Sequence, residues 1–204
     1  MSLEYSDWEK LYQEKPSKDL PWYFKGLDPD LHQEIIQKGI KSGTFLDIGA
    51  GPGTQAAALS KLGFRVTATD ISETAVKKAQ SLFLEVNFIQ DNFIETKLTQ
   101  KFDYIFDRGL FHTIHKEDRM FYLMNVTKLL NKDSFLFLKC FSIKETEHLE
   151  GPHRFSHEDI HTLFGTDFWI EPIKDSVFLG TKTHLSKEEY EHHPKALFVV
   201  MKKK

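Results

Sequence analysis

Short apolar runs alternate along this chain with stretches whose apolar residues recur every three or four positions. Residues 44–48, 64–69, 86–89, 102–106 and 134–141 form the runs and read as strands. Between them lie helical patterns. Asp28-Pro29 reads as an N-cap and first helical residue of a helix through about Lys38. An Ala-rich helix over 54–62 is stopped by Gly63. Ser72 caps a helix whose apolar face is Ala75, Val76, Ala79, Leu82 and Phe83. Further helices are predicted over 116–130 and 157–164. Strands alternating with helices of this length give a parallel sheet with crossover helices.

The C-terminal part differs. Residues 168–170, 177–179 and 196–200 are strand-like, and no helix of normal length fits between them. They are expected to meet as an antiparallel hairpin at the sheet edge. The expected fold is therefore α/β, a doubly wound, seven-stranded, mostly parallel Rossmann-like sheet with an antiparallel C-terminal strand. With 204 residues and no linker or repeat, residues 1–204 read as one domain.

Charge removes some partners. The formal net charge is -3 and the sequence pI about 6.4, which disfavours a role on nucleic acid. No apolar run reaches the ~18 residues of a membrane span, and the first residues lack a signal-peptide pattern. A cytoplasmic protein with no membrane partner is the expectation; the oligomeric state stays open. The single cysteine, Cys140, sits in an apolar run and reads as a buried thiol. The histidines, His192-His193 included, lack the spacing of a known metal motif, so no metal is expected.

The chemistry concentrates in Leu46-Asp47-Ile48-Gly49-Ala50-Gly51-Pro52-Gly53-Thr54, a glycine turn between a strand and a helix. A helix N-terminus there offers N–H groups to a ligand. A nicotinamide-dependent oxidoreductase also needs this geometry, but its G-x-G-x-x-G/A spacing would require Gly or Ala at Thr54. Pro52 removes a donor that a pyrophosphate needs, and Asp47 repels pyrophosphate while suiting an ammonium. S-adenosylmethionine carries an ammonium, a carboxylate, a sulfonium and an adenosine. Asp47 suits the ammonium. Asp70, about 20 residues past the glycines, suits the ribose hydroxyls. Asp91-Asn92-Phe93 ends the third strand, with Asp91 suited to the adenine amino group and Phe93 or Ile71 to the adenine face. Each acidic residue taken singly also reads as a helix cap.

These segments, with Thr69-Asp70-Ile71-Ser72 and Phe102-Asp103-Tyr104-Ile105-Phe106-Asp107-Arg108-Gly109, resemble the motifs of class I S-adenosylmethionine-dependent methyltransferases over roughly residues 43–141. The resemblance implies the fold, the cofactor, and a place for Gly49, Gly51, Gly53, Thr54 and Asp107 in the cofactor site. Trp8, Tyr12 and Pro21-Trp22, with the segment Asp107 to His112, are also similar to the thiopurine, thiol and halide branch and to tellurite-resistance methyltransferases. That likeness implies a small-molecule acceptor, such as a thiol or halide, and a lid or cap formed by residues 1–27, with Trp22 against the cofactor. Aromatic faces suit a sulfonium. The bland alternative is that Trp8 and Trp22 anchor an N-terminal helix.

His112 is the candidate catalytic base, its alternative being a histidine bonded to backbone. Arg108 either binds an acidic substrate or braces a loop. The loop Gly151 to Ser156, with His153 and Arg154, is expected over the acceptor, its alternative being a capped turn before the next helix. A non-catalytic module binding S-adenosylmethionine remains a competing expectation.

Overall fold

The computed structural model describes residues 5–146, 152–180 and 193–204. Gly151 and His192 lie outside the described residues. The strands are β1 (Thr44–Ile48), β2 (Arg65–Asp70), β3 (Asn87–Gln90), β4 (Phe102–Arg108), β5 (Leu130–Phe141), β6 (Phe168–Ile170), β7 (Lys174–Val177) and β8 (Lys195–Lys203). The helices are α1 (Tyr5–Glu14), α2 (Pro29–Gln37), α3 (Thr54–Lys61), α4 (Glu73–Leu82), α5 (Arg119–Leu129) and α6 (His157–Phe164).

One sheet runs in the order β3-β2-β1-β4-β5-β8-β6, with β7 also paired to β8. The pairs among β1 to β5 are parallel, and β8 is antiparallel to β5, β6 and β7. β6 pairs with residues 201–203 and β7 with residues 195–198, so the two short strands share one position in the sheet. The result is a seven-position Rossmann-like sheet. The order reverses between β1 and β4, which opens a crevice at their carboxyl ends.

The central strands alternate between two cores. Phe45, Phe106, Phe137 and Phe198 face α2, α3 and α4; Leu46, Ile105, Leu138 and Val199 face α5 and α6. A sheet covered on both sides explains the near-continuous apolar runs.

The local signals hold at several boundaries. Asp28 caps α2 by accepting from the Asp30 N–H, and Ser72 caps α4 by accepting from the Ala75 N–H. Ser156 and Asp159 close a capping box on α6. Three expectations need correction. Residues 116–118 form a single 3-10 turn, and the α-helix begins only at Arg119. β5 starts at Leu130, directly after α5, and crosses an irregularity at Asp133, whose φ of 61° is left-handed. The last strands do pair antiparallel at the sheet edge, with β6 and β7 outermost against β8, but β8 also pairs with β5. β8 lies inside the sheet, because both of its faces are buried in the two cores, and β7 falls at Lys174–Val177 rather than 177–179.

Helix α1 lies outside the three layers. Tyr12, Leu20 and Ala75 of α4 form a small separate apolar cluster with Trp8, Leu11 and Trp22 around it.

Candidate active site

The turn after β1 is built by glycines in left-handed conformations, with φ of 65° at Gly49, 49° at Gly51 and 76° at Gly53. Gly51 also meets a steric demand. A Cβ there would lie 2.5 Å from Tyr12 Oη, so a side chain and the N-terminal segment exclude each other. The turn's own N–H groups are already used. Ala50 donates to Thr69 O, Gly51 to Asp70 Oδ2 and Gly53 to Ala50 O, while Pro52 has no N–H. A pyrophosphate would find few donors here. Thr54 is the first residue of α3 and is half-buried.

Carboxylates end the strands around this turn, in different states. Asp47 is buried, and its Oδ2 has no hydrogen-bond partner among the described residues. Burial, with Asp107 and Asp70 nearby, pushes its pKa up to about 8 against the opposing Ala56 N–H and Arg108. An orphaned carboxylate oxygen beside the turn is what an incoming ammonium needs, so the residues present fit an amino-acid tail. Asp70 accepts from Gly51 N at 2.8 Å and Ser72 N at 2.9 Å, and burial still raises it to about 6. Half-buried Ile71 follows it. Asp91, beyond β3, accepts from Lys97 N through Oδ1, and its buried Oδ2 has no partner among the described residues.

Other residues singled out by sequence are committed elsewhere. Asn92 caps a short turn by accepting from Ile94 N. Phe93 is buried with its ring 5.5 Å from Tyr122, inside the core facing α5. Asp107 is fully buried. Its Oδ1 accepts from the N–H of Gly109 and Leu110, and its Oδ2 from Phe111 N and the Tyr122 hydroxyl. Those four bonds shape the turn after β4 and leave the carboxylate little capacity for a ligand, although burial pushes its pKa up to about 7.

Across the crevice stand Arg108, His112, Phe141 and Phe178. Arg108 donates to Asp28 Oδ2 at 2.8 Å, to Trp22 O and to Leu179 O, which makes it a brace between β4 and two loops. Lys139, 1% exposed on β5, reaches both Asp28 oxygens and Asp30. His112 packs 4.5 Å from Phe141 and 5.4 Å from Phe178, centroid to centroid. Its Nδ1 accepts the Phe141 N–H at 3.1 Å. Neutral His112 therefore carries its proton on Nε2. Burial, then His153 and Arg108, push its pKa down to about 3. In this geometry His112 presents a hydrogen-bond donor at Nε2: an Nε2 lone pair would require a proton on Nδ1, where the Phe141 N–H already points. Cys140 is no alternative, because burial, with Asp107 nearby, pushes its thiol up.

The loop before α6 comes to the same side. His153 N donates to His112 O, and His153 Nε2 is a buried nitrogen without a partner among the described residues. His115 is exposed. No group of three or more His, Cys, Asp or Glu among the described residues could hold a metal ion.

The N-terminal segment covers the glycine turn. Trp8 and Trp22 stack edge to face at 5.7 Å, and Trp22 lies 6.4 Å from Tyr12. Glu9 fastens α1 to the start of α4 by accepting from Ser72 Oγ, Thr74 N and Thr74 Oγ1. Sequence reasoning missed Glu9 and gave Tyr12 no role of its own. The available signal was the spacing of Trp8, Leu11 and Tyr12 on one helical face.

Residues 45–133 match the family model described as a methyltransferase domain. An uncharacterized methyltransferase of Schizosaccharomyces pombe is 34% identical over 113 residues, 53% of this chain and 78% of the relative. The chain belongs to the class I S-adenosylmethionine-dependent methyltransferases. Thiocyanate methyltransferase 1 of Arabidopsis thaliana is 27% identical to it over 157 residues, 74% of this chain and 67% of the relative. A solved S-adenosylmethionine-dependent methyltransferase of Anabaena variabilis shares the fold with a TM-score of 0.78 at 19% identity, covering 100% of this chain and 98% of the other. The enzyme's cofactor is thus S-adenosylmethionine, and the nicotinamide alternative falls. No helix among the described residues of this methyltransferase is long and apolar enough to cross a membrane.

Proposed function

We propose that this methyltransferase moves a methyl group to a small, soft nucleophile, a thiol or an anion of similar polarisability, without a general base from the chain. The observation that carries this reading is the Phe141 N–H on His112 Nδ1, which leaves a donor rather than a base on the acceptor side. An alcohol, amine or carbon acid needs a proton acceptor near the reacting atom; a thiolate or halide does not. Relatives named for thiocyanate and thiol methylation support the same class.

In this reading Asp47 holds the cofactor's ammonium, Asp70 its ribose hydroxyls and Asp91 its adenine amino group. Bound S-adenosylmethionine supplies an electrophilic methyl carbon on a sulfonium. The chain's part is to orient the acceptor and exclude water. Phe141 and Phe178 supply apolar walls, and His112 Nε2 offers a hydrogen bond to the acceptor. Residues 1–27 act as a cap, with α1 latched to α4 through Glu9.

Formation of S-adenosylhomocysteine from thiophenol, iodide, thiocyanate, a phenol and an amine tests this. Turnover of the soft nucleophiles at least about 100-fold above the phenol and amine, the scale of a missing base, is the expected result. Faster methylation of the phenol or the amine would overturn the reading. No product from any acceptor would favour the non-catalytic module.

A further inference from the structure

The charges around the glycine turn do not complete the site. The cofactor's amino-acid tail carries an ammonium and a carboxylate. Asp47 offers that region an acceptor, and the turn's N–H groups at Ala50, Gly51 and Gly53 are spent inside the protein. A carboxylate placed there still needs a donor.

Helix α1 brings one. Tyr12 is 3% exposed, and its hydroxyl oxygen sits over Gly51, 2.5 Å from the position of a Cβ there. Trp22 Nε1 lies 3.6 Å from the same position, and the Trp22 ring stands edge to face against Tyr12 at 6.4 Å. Burial, then the Asp70 carboxylate, push the phenol's pKa well above its usual value, so it stays a protonated donor. Three contacts fix its place: Glu9 on Ser72 and Thr74, and Lys78 Nζ on the Tyr12 carbonyl.

We infer that the Tyr12 hydroxyl binds the carboxylate of the cofactor's amino-acid tail, with Trp22 as the residue that positions it. Tyr12 is then a cofactor ligand as well as part of a cap, and α1 completes the cofactor site. This rests on the reading that the turn from Gly49 to Gly53 holds the tail.

Calorimetry of the full chain with two probes separates the roles. S-adenosylhomocysteine has the amino-acid tail; 5′-methylthioadenosine lacks both its carboxylate and its ammonium. Tyr12→Phe keeps the ring and removes the donor. It is expected to weaken S-adenosylhomocysteine about ten- to hundredfold, the range of a charge-assisted hydrogen bond, and to leave 5′-methylthioadenosine within about twofold of the wild type. The unchanged second ligand also reports that the variant is folded. Trp22→Phe should show the same selectivity with a smaller loss. An S-adenosylhomocysteine affinity left intact by Tyr12→Phe, or an equal loss for both ligands, would overturn the inference. A wild-type protein that binds both ligands equally would instead show that the turn does not hold the tail, and both readings would fall together.

Discussion

Asp70 accepts the Gly51 N–H at 2.8 Å, so the carboxylate ending β2 and the middle glycine of the turn after β1 are held as one unit. The bond crosses 19 positions of sequence and fixes the turn before any ligand arrives. Asp70→Ala removes this bond and the one from Ser72 N together. The expected loss of S-adenosylhomocysteine affinity is about 1.5–3 kcal/mol, the scale of hydrogen bonds to a charged group. Titration calorimetry checks it, and an unchanged affinity would show that Asp70 does not touch the sugar.

Asp47 couples pH to both stability and binding. Its folded pKa of about 8 lies above the unsubstituted value of 3.8. The favourable contribution is complete below pH 3.8, where both states are protonated, and is lost as pH rises through 8. Asp70 and Asp107, raised to about 6 and about 7, slope the same way. Thermal melts of the ligand-free protein should therefore fall between pH 5 and pH 8, and Asp47→Asn should flatten that fall. The ionised form is the one that pairs with an ammonium, so wild-type affinity for S-adenosylhomocysteine should rise over pH 6–8. A variant with an unchanged melting slope would refute the burial of this charge.

His112 should leave no titration near 6.5 in the pH profile of kcat/KM for thiocyanate, which is an anion throughout. His112→Gln retains a donor and should keep activity within about fivefold, whereas His112→Phe should lose about tenfold or more, on the scale of one hydrogen bond. A rising limb at pH 6–7 that disappears in the Gln variant would establish a base instead.

Asp28 sits between two buried cations, Arg108 and Lys139. Burial works against its charge, but Lys139 and Arg108 together hold its pKa below the ordinary value. Removing it by Asp28→Ala leaves the cations uncompensated and uncaps α2, at a cost of about 3–5 kcal/mol. For a chain of this size that is roughly a 10 °C drop in Tm. Lys10→Ala, which breaks an exposed pair with Glu14, should move Tm by no more than about 2 °C. Equal effects of the two substitutions would show that the buried network is not structural.

Much of the architecture was legible residue by residue, because its signals are local. The run 44–48, the caps at Asp28 and Ser72, and the helix 157–164 depend on period and on side-chain bonds two or three residues away. The start of β5 was not legible, since a strand following α5 without a turn carries no punctuation. Nor was the insertion of β8. Its apolar run announces burial on two faces but does not name the neighbours: β5 pairs with it across 55 or more positions of sequence, and β6 and β7 across 18 to 35.

The sequence by itself determined the glycine turn, the carboxylates that follow the strands and the class of cofactor, because contiguous backbone geometry and strand ends place those groups. Tertiary structure decided which carboxylates have capacity left. Asp47 and Asp91 each keep an oxygen without a partner among the described residues, while Asp107 is saturated by Tyr122 and its own turn. It also decided the tautomer of His112 and the place of Tyr12 over Gly51. Those outcomes depend on partners distant in sequence, and a hydrogen-bonding group reveals its remaining valence only when its neighbours are in place.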